Sequence, residues 1–402
     1  MPFFSKNISK LEQIKSINPT ILLLLLSAFI FWIAVGINIV IMPALLIKNH
    51  ISATKIGIAS IFELSGSIIM SFVLHKIVKK LGVSNVVKYA TIIYAVIVLL
   101  SYFFLGFFFW LAIALSTGFC WFICTIIRQF WLNSLVNNRY RGLLIGAFSM
   151  IISFGLVIGP AIVSLTSADN YFNFVLSAFL LLVSYYILQY FCHTKLPEIS
   201  EQKYLPLKEL ISKHPNLASG RFFLDFICFS LVSFVVVFAT KKSLTPEQGG
   251  LFYAAFSLSG ILDLIVGILL VKYPKPQKML NIGFILCLCG SFLLFCSGSF
   301  GFFTVIFFLI GCGIACIFVT CYKMLNDEYS NENSDSENNR GVAANATFQR
   351  IGSIGAMCGS ITTGIAIDLI GSNGLAITVL IASTCYFITF QATKIRKIGI
   401  DI

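Results

Sequence analysis

Apolar residues run through this chain in blocks of about twenty, the length of helix that crosses a bilayer, set apart by short polar stretches. The blocks are 21–46, 56–74, 87–105, 107–130, 143–166, 172–192, 219–240, 249–271, 279–298, 301–322, 343–367 and 373–392. They predict spans 1 to 12 of an all-α polytopic membrane protein. A transmembrane barrel needs alternation at period two, and runs such as Ile21 to Leu26 do not alternate. Junctions as short as 104–107 and 298–301 make consecutive spans antiparallel neighbours. The first block is too long for a cleaved signal and no small-residue cleavage site follows it, so it is expected to stay as span 1.

The pattern then repeats once. Arg141-Gly142, Phe148 and Gly155-x-x-x-Gly159 open span 5. Arg340-Gly341, Phe348 and Gly355-x-x-x-Gly359 open span 11. Such self-similarity predicts two halves of six helices each, with a site between them. The expected division is 1–192, a linker 193–217, and 218–402. Within the linker, Leu205 to His214 reads as a short amphipathic helix on the inner surface. The acidic stretch 326–341 reads as a disordered loop.

Composition agrees with lipid as the solvent. The chain is 58% hydrophobic and 11% charged, with a mean hydropathy of +0.94, against about 25% charged residues in soluble domains. Its net charge is +12, and the cations divide unevenly. With both termini inside, 22 of the 28 Lys and Arg lie on the inner side and four on the outer side. The positive-inside rule therefore predicts cytoplasmic termini in an inner (plasma) membrane. Basicity here reports topology, and no basic stripe on a soluble domain points to nucleic acid. The twelve cysteines and four scattered histidines lack metal-ligand spacing, so no metal and no cofactor is expected. No nucleophile, base and orienting group come together, so an enzyme is not expected.

Charges inside spans are costly, at least about 2.5 kcal/mol at a helix centre, and are candidates for function. Glu63 of span 2 lies roughly 12 Å from one end of its helix and roughly 20 Å from the other. Asp263 of span 8 lies roughly 13 Å from the inner end. Both are candidate proton or substrate groups, facing one cavity from the two halves. Asp225 follows Arg221 by four residues, the spacing of a structural ion pair on one helix face, and is otherwise a cavity acid. Arg128 and Arg350 either snorkel to the inner interface or bind carboxylate or phosphate in a cavity. Asn38, Tyr94 and Trp121 are candidate wall residues.

Twelve spans in two halves, a basic run after span 2, Arg-Gly opening span 5 and Gly-Pro late in span 5 resemble the major facilitator superfamily along the whole chain. The family's run after span 2 is matched by Ser71, His75, Lys76, Lys79 and Lys80. Ser71 stands in place of the usual Gly and His75 in place of the usual Asp, a carboxylate that helps latch one conformation. Gly155, Gly159 and Pro160 resemble the span 5 element associated with exporters and antiporters, without its usual Gly-Gly continuation. The family's span 4 Arg is absent, its position being Ala114 when Gly118 is taken as the following Gly.

The resemblance implies secondary active transport of a small organic solute by alternating access. Proton-coupled export is the leading expectation, acting as a monomer in the lipid bilayer. The alternatives are uptake of an organic anion or metabolite, favoured if Arg128 and Arg350 are essential, and a non-transporting membrane sensor or scaffold. Five buried charges argue against the scaffold.

Overall fold

The computed structural model describes residues 19–103, 106–134, 138–191, 206–273, 275–329 and 338–398, and every regular element among them is helical. Spans 1 to 6 are Pro19–Lys48, Ala53–Leu81, Val83–Ser101, Phe107–Ser134, Asn138–Thr166 and Tyr171–Phe191. A short helix, Leu207–Lys213, precedes span 7, Pro215–Lys241. Span 8 is broken into Pro246–Leu258, a 3-10 turn Ser259–Ile261 and Leu262–Lys272. Spans 9 to 12 are Pro276–Leu293, Phe300–Tyr329, Asn338–Ile370 and Asn373–Ile398. Among the described residues eleven helices are long and apolar enough to cross a membrane, and the apolar part of the twelfth is Asn373–Thr389.

The predicted boundaries shift where polar residues continue a helix. Pro215 begins span 7 inside the expected linker, because proline suits a first helical turn. Spans 10 and 11 take up 326–329 and 338–341, which shortens the expected acidic loop, and residues 330–337 lie outside the described residues. Span 2 runs on to Leu81, and span 3 starts at Val83. Gly82 alone makes the turn, at φ 79°, a left-handed conformation open to glycine. His75 to Lys80, expected to follow span 2, are therefore helical.

One end of the bundle carries the 1–2, 5–6, 7–8 and 11–12 junctions and few cations. It is termed the lysine-poor end, and the opposite end the lysine-rich end. Helix starts at the lysine-poor end are well capped. Ser52 accepts from the Lys55 N–H at span 2, and Thr245 and Gln248 form a capping box at span 8.

Close helix contacts explain the repeated glycines. A Cβ at Gly155 would meet Trp32, and one at Gly159 would come within 2.6 Å of the backbone of Ile33, Gly36 and Ile37, so span 5 lies directly on span 1. In the second half Gly355 and Gly359 lie against the backbones of Phe222 and Phe226, so span 11 lies on span 7. The same pair of small residues makes the same joint twice. A second joint also recurs. Gly118 of span 4 sits on the backbone of Glu63 in span 2, and Gly311 of span 10 sits on Phe256 and Ser259 of span 8.

The halves meet along two antiparallel seams. In the seam of spans 2 and 11, Gly57 faces the Ser360 carbonyl and Gly364 faces the Ala53 carbonyl, each at 2.6 Å from a Cβ built on the glycine. In the seam of spans 5 and 8, Gly250 packs on Val40 and Pro160, and Gly260 packs on Ser153. Span 8 breaks beside that last contact. Ser60 of span 2 donates to Ser233 of span 7 at 3.1 Å between the seams.

Candidate functional site

The lysine-poor end is fastened between halves by carboxylates set on backbone N–H groups. Asp368, near the end of span 11, accepts from Ala53 N at 2.9 Å and Thr54 N at 2.8 Å. Those N–H groups open span 2, where a helix start leaves donors unpaired and favours negative charge. Glu247, in the first turn of span 8, accepts from Ala168 N at 2.7 Å and from Ser167 Oγ at 3.3 Å in the 5–6 junction. Beside it Lys48 and Asp169 pair at 2.8 Å, both largely in solvent. Hydrogen bonds from Lys48 and Ser167 hold the Asp169 carboxyl below the usual carboxylate range. A carboxyl lowered on folding adds stability above its unfolded value and loses it as pH falls through the folded one. For so exposed a pair the contribution is at most about 1 kcal/mol.

Neither Asp368 nor Glu247 stood out in the sequence. Asp368 carried one signal, an acid in the last turn of a helix, where the helix's own dipole disfavours it. Such a residue needs a partner elsewhere. Asp368→Asn is expected to weaken the latch by about 0.3–1 kcal/mol, the usual scale of a charge at a helix end. Distances between spin labels at positions 49 and 373 are expected to show a larger open population in this variant.

Glu63 lies at the span 2–4 joint. Ile56 4%, Ala59 8%, Ser67 9%, Met70 9% and Leu74 5% exposed form the buried stripe on which it falls by helical spacing. Glu63 itself is exposed. The lipid-facing stripe of span 2 passes through Phe62 and Ile69 on another side. The Glu63 side chain therefore opens into space inside the bundle. Ser67 Oγ donates to the Gly118 carbonyl at 3.1 Å and ties the two helices at this level.

Asp263 is held at a different junction. Ser149 Oγ of span 5 donates to its Oδ2 at 3.1 Å, across the seam between halves. The two acids expected to share one cavity are thus placed at different contacts. Glu63 belongs to a joint within its half, and Asp263 to a seam between halves.

Asn38 is buried in span 1, accepting from Ser177 Oγ at 2.8 Å, while its Nδ2 has no partner. Tyr94 of span 3 lies beside Asn38 and within electrostatic range of Glu63. Phe31 packs edge-on to Tyr94 and Trp32, and Trp32 edge-on to Trp121, with ring centroids 5.9 to 6.4 Å apart. These rings form a continuous aromatic wall across spans 1, 3 and 4.

Arg128 departs from expectation. Arg128 neither snorkels nor lines open space. It is 1% exposed, donates to the Cys124 carbonyl and to Ser184 Oγ, each at 2.7 Å, and lies over the Phe31 ring at 4.4 Å. Cys124 belongs to Arg128's own helix, but spans 6 and 1 supply Ser184 and Phe31, and nothing near Arg128 in the sequence announces those two. Arg350 lies over the Phe72 ring at 4.4 Å, across the span 2–11 seam. Asp225 makes the ion pair that its spacing suggested, 2.7 Å from Arg221. Arg221 also donates to Gln349 at 2.9 Å, Tyr322 is bonded to Gln349 and Arg221, and Gly352 leaves the space this network fills.

The motif residues have structural surroundings. Lys76, Lys79 and Lys80 are exposed near the end of span 2, and Ser71 Oγ donates to Ile68 O of its own helix at 2.6 Å. The side chains of His75, Arg141, Gly142, Arg340 and Gly341 lie outside the described residues. Spans 5 and 11 begin at Asn138 and Asn338, a few residues before the two Arg-Gly pairs. Pro160 lies against Gly36 and Gly250, where span 5 meets both span 1 and the other half.

The family profile described as Major Facilitator Superfamily matches residues 24–357 and, in a second match, 217–393. Among solved structures, the nucleoside transporter NupG is 15% identical with a TM-score of 0.70, covering 93% of this chain and 98% of that one. A bacterial homologue of the human lysosomal transporter Spinster, inward-facing and unoccupied, is 13% identical with a TM-score of 0.72, covering 92% and 96%. At such identities the likeness is one of fold. No curated protein matches the chain.

Proposed function

Because the chain belongs to the Major Facilitator Superfamily, we propose that it is a proton-coupled exporter of a small organic solute, in which Glu63 and Asp263 take up and release protons. The observation that carries this reading is the Ser149–Asp263 hydrogen bond, which crosses the seam between halves. Alternating access parts and remakes such seams. An ionised Asp263 accepts from Ser149, and protonation removes the charge that strengthens this bond. Proton occupancy at Asp263 thereby biases the seam. Glu63, open to the interior, is the complementary group within the first half.

The chain would act as a monomer, since both halves and the space between them come from one polypeptide. The lysine-rich end would face the cytoplasm of a bacterial-type cell, as the cation asymmetry favours. Export draws its support from Gly155, Gly159 and Pro160. The two glycines are matched in their packing by Gly355 and Gly359, whereas Pro160 has Ser360 as its counterpart. That proline is what the first half adds at the seam. Uptake of an organic anion loses one of its two supports, because Arg128 is enclosed.

The test is uptake into everted membrane vesicles under an imposed pH gradient, with a radiolabelled panel of amines, nucleosides and carboxylates. At least one solute is expected to accumulate in a gradient-dependent manner with the wild-type chain. Glu63→Gln and Asp263→Asn are each expected to cut its initial rate at least about ten-fold, in the range of a lost general acid–base group. Unchanged gradient-driven rates in both variants would sink the coupling.

A further inference from the structure

We propose that a crevice between spans 3, 4 and 6, at the lysine-rich end, binds the phosphate headgroup of one anionic phospholipid. The site lies apart from Glu63 and Asp263 and does not depend on the transport reading above.

Ser84 and Val87 line the crevice from span 3, Trp131 from span 4, and Tyr185, Leu188 and Gln189 from span 6. Its volume is about 60 Å³. Drug-sized solutes occupy pockets of about 300–1,000 Å³, so this space suits one small polar group. Tyr185 is 5% exposed, and its hydroxyl has no hydrogen-bond partner. A buried hydroxyl left unpaired is costly, and an acceptor seated in the crevice removes that cost. Ser84 and Gln189 are exposed at the mouth and bring further donors.

The second half shows what closes such a space. Matching spans 3 and 9 on their buried positions pairs Val87 with Leu280, Ala90 with Gly283, Thr91 with Phe284 and Tyr94 with Cys287. Gln277 then takes the place of Ser84. In span 12 Tyr386-Phe387-Ile388 takes the place of Tyr185-Tyr186-Ile187. Gln277 approaches the Tyr386 hydroxyl, so this half closes the joint with its own side chain. In the first half the shorter Ser84 leaves the space open and the tyrosine hydroxyl bare.

Charge selects the occupant. Spans 3, 4 and 6 contain no Asp or Glu. Arg128, one turn before Trp131, donates to Ser184, the neighbour of Tyr185. It pairs with no carboxylate among the described residues, and its Nε is unpartnered. Lys88, one turn past Ser84, is exposed, and Lys79 and Lys80 end span 2 just before the Gly82 turn. Fixed positive charge between low-dielectric walls favours an anion. Position then selects a lipid. Ser84 lies in the first turn of span 3. Tyr89 and Tyr186, on the same two spans, are 50% and 70% exposed, as aromatic residues are at the headgroup level. A phosphodiester held there accepts from Tyr185, Ser84 and Gln189, and its acyl chains follow the exposed faces of spans 3 and 6.

The test is thermal melting of the purified full-length chain, delipidated in detergent. The additions are phosphatidylglycerol, phosphatidylcholine with the same acyl chains, and inorganic phosphate. Phosphatidylglycerol is expected to raise the melting temperature saturably, with an apparent affinity at least about ten-fold above that of phosphatidylcholine. Inorganic phosphate is expected to have no effect. Ser84→Gln, which gives the first half the residue of the second, is expected to weaken phosphatidylglycerol binding at least about ten-fold. Tyr185→Phe is expected to weaken it at least about five-fold, through loss of one donor to a charged acceptor. Lys278→Gln, which alters an exposed lysine at the same end of the second half, is expected to leave the affinity unchanged. Melting without lipid checks that each variant is folded. Equal affinities for the two lipids, or stabilisation by inorganic phosphate alone, would overturn the assignment. Unchanged phosphatidylglycerol affinity in a folded Ser84→Gln variant would do the same. An equal loss in Lys278→Gln would overturn it too, since diffuse surface charge would then account for the binding. Should Ser84→Gln fail to fold, Tyr185→Phe decides.

Discussion

Gly118→Leu is expected to abolish folding or transport. A Cβ at this position falls on the carbonyl oxygen of Glu63, with the Glu63 carbonyl carbon close behind. The obstacle is the backbone of span 2, so no side-chain rotation relieves it. Separation of spans 2 and 4 would also cost the Ser67 bond to the Gly118 carbonyl and the matching close approach of Gly66 to Leu115. Overpacking against movable side chains typically costs about 1–3 kcal/mol, and a backbone obstacle belongs at or above the top of that range. Gly118→Ala should be intermediate. Gly106→Ala and Gly301→Ala should be silent, since a Cβ at either meets nothing within 4 Å. Fluorescence-detected gel filtration and thermal melting would read the series. Wild-type melting in Gly118→Leu would show that the joint is looser than described.

Arg221→Met is expected to destabilise the chain by about 3–5 kcal/mol, the scale for removing one partner of a buried ion pair. Arg221 is 5% exposed and 2.7 Å from Asp225. Its loss leaves that carboxylate, 13% exposed, without its counter-charge beside Gly352, and also removes a donor to Gln349. The double variant Arg221→Met with Asp225→Leu should recover most of the loss, because an apolar pair of similar volume is often neutral. Denaturant titration of the reconstituted protein, followed by tryptophan fluorescence, measures both. A double variant as unstable as the single one would show that Arg221 acts through Gln349 and Tyr322 more than through Asp225.

The twelve spans were legible because unbroken apolar runs of this length have one structural outcome in lipid. Their ends were less so. Spans 2, 7, 10 and 11 continue as helix through polar residues, where hydropathy fades before the hydrogen-bond ladder does. The break in span 8 was hidden within an apolar run. Its position beside Ser153 of the other half is a tertiary fact that no local pattern carries. Asp225 was readable from Arg221 four residues earlier. Arg128 was misread as a cavity or interface residue, since Ser184 lies 56 residues away in sequence and Phe31 is farther still. Glu63 stood out for its depth, but its exposure among buried neighbours required the packed helix. Asp368 and Glu247 passed unnoticed because their partners are main-chain groups, which every sequence possesses.

That last point reaches beyond recognition. At each latch one member is an acidic side chain and the other a peptide N–H that substitution leaves in place. Any substitution other than proline at Ala53, Thr54 or Ala168 leaves the donor in place, within the little room that the buried Ala53 and Ala168 allow. At the lysine-poor end the two halves therefore recognise each other through main-chain donors of the first half and the acids Asp368 and Glu247 of the second, while the seams keep their own demand for small residues such as Gly57 and Gly364. A recombinant joining this first half to a distant second half would keep these two latches wherever those two acids and the small residues of the seams survive.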